Sequence, residues 1–115
     1  MSGWIGVDLD GTLAEYHGWK GNYDIGKPIQ PMVDRVKQWL AEGKEVKIFT
    51  ARVSGHLTKD IVTGELRDAI TPIKEWCKKH IGQELDVTNV KDYGCMAIYD
   101  DRAVQVEMNT GRIIQ

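Results

Sequence analysis

Trp4-Ile5-Gly6-Val7-Asp8-Leu9-Asp10-Gly11-Thr12 decides how the chain is read. A short apolar run has the character of a buried strand, and the chain leaves it through two acids, a glycine and a threonine. On an extended strand residues i and i+2 share a face, about 6–7 Å apart. Asp8 and Asp10 therefore project to one side while Leu9 points back into the core. Two carboxylates directly beyond a buried strand are costly unless donors or a metal ion satisfy them. Taken alone the stretch also fits a solvated turn, since Asp and Gly are ordinary turn residues.

Two further segments repeat the pattern. Lys47-Ile48-Phe49-Thr50-Ala51-Arg52 runs into a hydroxyl and a guanidinium, and Ala97-Ile98-Tyr99-Asp100-Asp101-Arg102 runs into adjacent carboxylates. Three strands releasing polar residues at their C-terminal ends predict the ligand-binding edge of an open α/β sheet. Met32, Val33, Val36, Trp39 and Leu40 recur at helical spacing, with Pro31 suited to the first turn and Gly43 to the position after the last. Leu66, Ala69, Ile70, Ile73, Trp76 and Cys77 keep a second helical face to about His80. Pro72 interrupts it, so either that helix kinks or Thr71-Pro72 begins a new one. Residues 51–64 read least clearly; Thr58 would cap a short helix starting near Lys59. Residues 86–90 are expected to be extended and 103–107 to alternate as a strand. After a turn at Asn109-Thr110-Gly111, residues 112–115 would return as a hairpin. Residues 13–26, rich in glycine and aromatics, read as a loop or short hairpin. Strands alternating with helices predict a mostly parallel sheet in an α/β fold.

At 115 residues the chain is expected to form a single domain, 1–115. Its 42% hydrophobic and 28% charged content is that of an ordinary soluble protein. A net charge of −2 offers no global attraction to nucleic acid or to an anionic membrane, so a nucleic-acid substrate would need a local basic patch. Cys77 and Cys95 fall in a helix and a strand and read as small buried hydrophobes rather than a disulfide. With no secretory segment and no membrane-length apolar run, a cytoplasmic protein is expected.

The motif set resembles the haloacid dehalogenase (HAD) superfamily of Mg²⁺-dependent phosphotransferases. The matching residues are Asp8-Leu9-Asp10-Gly11-Thr12, Thr50, Lys91 and Asp100-Asp101, in the family's order and spread over nearly the whole chain. The segment from Asp100 to Met108 also looks like the phosphatase half of phage polynucleotide kinase–phosphatases. The resemblance implies a Rossmann-like, three-layer α/β/α fold. It implies a phosphatase in which Asp8 is the nucleophile and Asp10 first protonates the leaving group and then activates water. Thr50 would bind the phosphoryl oxygens and Lys91 would offset charge between nucleophile and phosphate. By the same resemblance Mg²⁺ is held by the Asp8 side chain, the Asp10 backbone carbonyl and one of the motif-four aspartates, with Asp101 favoured as the direct ligand and Asp100 acting through water. Arg52 and Arg102 each follow a motif residue and are candidates for gripping phosphate, against the alternative of surface ion pairs. Tyr16, Trp19 and Tyr23 supply stacking faces, of which Trp19 is the chosen substrate contact.

Neither residues 13–26 nor residues 52–64 are long enough for the cap domain that many HAD phosphatases carry. An open site suits a phosphorylated nucleotide or polynucleotide end, though a phosphorylated small molecule also fits; a second subunit is another way to close it. The competing readings are a non-catalytic binding module and a phospho-acceptor domain. A binding role does not require all of Asp8, Asp10, Thr50, Lys91, Asp100 and Asp101, and a phospho-acceptor has an acidic pair too but leaves Asp10-Gly11-Thr12 unexplained.

Overall fold

The computed structural model describes residues 3–55, 57–59 and 66–114. Its centre is a four-stranded parallel sheet of order β5-β2-β1-β6, built from β1 (Trp4–Val7), β2 (Glu45–Phe49), β5 (Asp86–Thr88) and β6 (Cys95–Tyr99). Helix α1 (Gln30–Ala41) joins β1 to β2, and α2 (Ile70–His80) precedes β5. A short pair, β3 (Leu57–Lys59) and β4 (Leu66–Asp68), runs antiparallel before α2, and β7 (Gln105–Val106) pairs with β8 (Ile113–Ile114).

α1 ends as its sequence leads one to expect. Gly43 has φ of +82°, and the Lys44 and Gly43 N–H groups donate to the Trp39 and Leu40 carbonyls, closing the last turn. α2 begins at Ile70 and holds Pro72 in its first turn, where no N–H is needed, so the helix starts there and does not kink. The Asp68 carboxylate accepts from the Ile70 and Thr71 N–H groups at that end. Two local expectations fail. Thr58 lies in β3 and starts no helix, and Leu66 lies in β4, outside the α2 face it was read with. Only Gln105–Val106 of residues 103–107 forms a strand.

The strand order steps from β1 to β2 to β5 in one direction, so right-handed crossovers put α1 and α2 on the same face. Their buried residues Val33, Val36, Ile73 and Cys77 join Ile5, Val7, Val46 and Ile48 in one core. Burial pushes the Cys77 thiol up to about 12, as befits an unreactive core residue. The opposite face carries Trp4, Gly6, Lys47 and Phe49, and among the described residues no helix covers it. The arrangement there is thus two-layered, not the three-layered α/β/α sandwich expected. Trp4 is nonetheless buried. It lies across Gly6, under the Lys47 ammonium (4.8 Å from the ring centre), and its indole N–H donates to Asp92 at 2.8 Å. A side chain at position 6 would collide with that ring, a Cβ standing 2.9 Å from it. Among the described residues no helix is long and apolar enough to cross a membrane.

Candidate active site

Alternation along β1 continues past its end: Val7 and Leu9 are fully buried in the core, and Asp8 and Asp10 emerge on the other face. The chain then turns tightly, the Leu9 carbonyl accepting from the Leu13 and Ala14 N–H groups, so the strand end is anchored from behind. β2 delivers Thr50 and Arg52, and β6 delivers Asp100 and Asp101, to the same edge. Asp8, Asp10, Thr50, Arg52, Asp100 and Arg102 line an open cavity of about 580 Å³, with Tyr16, Trp19 and Phe49 among its aromatic walls.

The side towards β6 is acidic. Carboxylate oxygens of Asp8, Asp100 and Asp101 all lie within 4.8 Å of one another. The Thr12 hydroxyl stands between them, 3.0 Å from Asp101 Oδ1 and 3.4 Å from Asp8 Oδ2, and accepts the Asp101 N–H at 2.9 Å. Its single proton can serve only one carboxylate at a time. Gly11 has φ of +89°, and a Cβ there would sit 2.8 Å from Asp101 Oδ2, so turn and acid cluster both require glycine. Burial, then the charge of Asp100 and a hydrogen bond with Asp101, push Asp8 up to about 7. Burial opposes ionisation of Asp101 too, but the Thr12 hydroxyl and the bond from Asp8 outweigh it and hold Asp101 below its ordinary value. A proton carried by Asp8 and donated to Asp101 accounts for both directions. Among the described residues no lysine or arginine side chain bonds to this trio. Hard oxygen donors carrying surplus negative charge are what a Mg²⁺ or Ca²⁺ ion takes, so the residues fit the metal the motifs imply.

The side towards β2 is neutralised. Arg52 Nε and Nη2 donate to the two Asp10 oxygens at 2.7 and 2.8 Å. The remaining N–H groups reach the carbonyls of Asn22 (3.2 Å), Asp24 (2.9 Å) and, more weakly, Gly21 (3.5 Å). Its Cζ lies over the Trp19 ring, 4.8 Å from the ring centre, and only 5% of the side chain is exposed. The expectation that Arg52 grips phosphate therefore does not match its geometry, because all five donors are already engaged.

Thr50 is buried beneath the cavity, its hydroxyl accepting the Arg52 N–H at 3.2 Å, which leaves the hydroxyl proton free to donate. Arg102 lines the cavity; among the described residues its guanidinium makes no hydrogen bond or ion pair, though its charge helps hold Asp101 low, and its backbone N–H donates to Asp100. Trp19 lines the cavity as expected, with half of its surface open. Lys91 is exposed and does not line it; the residue that β5 contributes there is Asn89, two positions earlier. Sequence reasoning missed Asn89 and gave no role to Thr12. Thr12 was signalled by its place directly after Asp-x-Asp-Gly, whereas Asn89 carried no signal of its own.

No protein-family model matches the chain, and no curated protein matches it. Among solved structures the chain is similar to a conserved protein from Bacteroides thetaiotaomicron, at 21% identity over 90% of this chain and 78% of that one, with a TM-score of 0.58. At that identity the likeness speaks for an α/β fold alone.

Proposed function

We propose that this chain is a Mg²⁺-dependent phosphatase of the HAD type, hydrolysing a phosphate monoester through an aspartyl-phosphate. The observation that carries the reading is the convergence of Asp8, Thr50 and Asp100, from three parallel strands, on one cavity, with Asp101 clustered beside the two acids. Asp8, Asp100 and Asp101 would hold the metal, with the Asp10 carbonyl as a further ligand by resemblance. A divalent ion bound there supplies charge neutralisation for nucleophile and phosphoryl group.

An Asp8 oxygen attacks phosphorus and the bond to the leaving oxygen breaks; Asp10, the proton donor by resemblance, has to give up an Arg52 bond at one oxygen to carry the proton that the leaving oxygen takes. Water then attacks the aspartyl-phosphate, gives its proton to Asp10, and the phosphorus–Asp8 bond breaks to release phosphate. Thr50 donates its hydroxyl to a phosphoryl oxygen, and Arg102, whose guanidinium N–H groups make no hydrogen bond among the described residues, pairs with the phosphate. Thr12 orients Asp8 relative to Asp101. The open cavity with Tyr16, Trp19 and Phe49 supports a nucleotide or polynucleotide end as substrate.

The test is Mg²⁺-dependent hydrolysis of an aryl phosphate, followed by nucleotides, sugar phosphates and 3′- or 5′-phosphorylated oligonucleotides. Asp8→Asn is expected to lower kcat by at least about a thousandfold with an unchanged circular dichroism spectrum. Near-normal turnover in that variant rules out the covalent route. Phosphorylation of Asp8 without turnover would favour a phospho-acceptor.

A further inference from the structure

The segment from Tyr16 to Asp24 forms a flap over the cavity. Its base is pinned by backbone bonds, Glu15 N–H to the Lys27 carbonyl and Ile29 N–H to the Leu13 carbonyl. Beyond that base the flap's own bonds are local: Asp24 N–H to the Gly21 carbonyl, and the His17 and Glu15 side chains together. Among the described residues, and apart from the His17–Glu15 contact at the base, every hydrogen bond that ties Tyr16 to Asp24 to the rest of the molecule comes from Arg52. The same guanidinium carries the Trp19 ring on its face and is fixed at its other end by the Asp10 carboxylate.

We propose that Arg52 is the latch of the flap: a positioning residue that ties Gly21, Asn22, Asp24 and Trp19 to Asp10, and not a ligand of substrate phosphate. Three features support it. Its donors are exhausted by the flap carbonyls and Asp10, its side chain is almost wholly buried, and Arg102 stands in the same cavity with its donors free. A guanidinium is the one side chain that can reach both partners at once, since its fork meets a carboxylate edge-on and still presents N–H groups to the opposite side. An ammonium in its place offers the charge without the fork. The latch sets where the Trp19 stacking face stands relative to Asp10. Its bearing on substrate rests on the phosphatase reading, whereas its bearing on the flap does not.

Limited proteolysis reads this directly. Trypsin has one usable site in the flap, after Lys20, because the bond after Lys27 precedes Pro28. Cleavage after Arg35 or Lys37, inside α1, reports opening of the helix and serves as the reference. In Arg52→Ala, cleavage after Lys20 is expected to rise at least about tenfold relative to cleavage in α1, the scale of losing hydrogen bonds to a charged group from a local closing equilibrium. Arg52→Lys, which keeps the charge, is expected to release the flap as well. Asp10→Ala removes the anchor and should also raise the ratio, with Arg52→Ala adding little on top. An unchanged ratio in Arg52→Ala overturns the latch. So does a parallel rise at both sites, which would make Arg52 a general stabiliser, or full retention of the closed flap in Arg52→Lys, which would make charge alone sufficient. A chain that hydrolyses no phosphate ester yet shows the Arg52-dependent flap would sink the phosphatase reading and leave the latch standing.

Discussion

Asp8 and Asp10 stand two residues apart on one face of the chain leaving β1, yet the β6 side surrounds the first with carboxylates and the β2 side surrounds the second with a guanidinium. Asp8 lies against Asp100, Asp101 and the Thr12 hydroxyl, and its environment favours the proton. Asp10 has both oxygens bonded to a cation that also holds the flap. One strand thus feeds two carboxylates into opposite electrostatic settings, and the contrast separates a position that asks for added positive charge from one that already has it. Without a metal this separation makes Asp8 the protonated group and Asp10 the ionised one, so the nucleophilic role proposed for Asp8 requires a cation on the β6 side to ionise it.

The largest effect that tests the contrast is metal binding. If the β6 side lacks a cation, millimolar Mg²⁺ should raise thermal stability, by about 2.7 kcal/mol at a hundredfold excess over Kd. Asp101→Ala should lose most of that gain. A melting temperature indifferent to Mg²⁺ would mean that the acidic side is content without an ion.

On the other side the expected effect is smaller and concerns substrate. Trp19→Ala removes the stacking face carried on Arg52, worth about 1–3 kcal/mol per base. The advantage of nucleotide over sugar phosphates in kcat/KM should shrink accordingly, measured at fixed ionic strength because phosphate contacts are salt-sensitive. Sugar phosphates proving the better substrates, with Trp19→Ala silent, would remove the nucleotide reading and leave the phosphatase reading intact.

The effect most reduced by solvent screening, because Asp8 is only partly buried, is a pH slope in the metal-free protein. Asp8 in the fold holds its proton to about 7 against an ordinary value of 3.8, so between those limits the native state binds more protons than the unfolded one. Stability contributed this way is complete below the lower value and is lost as pH rises through about 7. Asp101, held low, contributes the opposite slope only below the ordinary carboxylate range. Urea midpoints from pH 4 to 8 should therefore fall with rising pH through this contribution. Asp8→Asn should flatten that fall, and so should saturating Mg²⁺. A slope that survives both changes would place its origin elsewhere.

The parts of the site that could be read from the sequence are those fixed by neighbours along the chain. Strand alternation put Leu9 inward and both acids outward, and three apolar runs ending in Asp8, Thr50 and Asp100 marked the edge where they meet. Pro31 and Gly43 likewise bracketed α1 through local backbone rules. What escaped depends on partners far apart in sequence. The Arg52–Asp10 pair spans 42 positions, and no local pattern distinguishes an arginine in a carboxylate fork from one waiting for phosphate. Asn89 in place of Lys91 at the cavity reflects where β5 ends, after Thr88, which a three-residue strand barely announces. The single helical face was equally out of reach, because it follows from the strand order, and periodicity within one helix says nothing of which side it packs on.

The backbone ladder that pairs Val7 with Ile48 and Tyr99 turns the site into a matter of odd and even. A slip of β1 by one position would carry Leu9 to the open face and fold both acids into the apolar core; a slip by two would restore every side chain to its proper side. The chemistry at the edge is therefore a question of counting: it depends on how many residues separate the ladder from Asp8, a quantity to which the volume and shape of Trp4, Ile5 and Val7 contribute nothing.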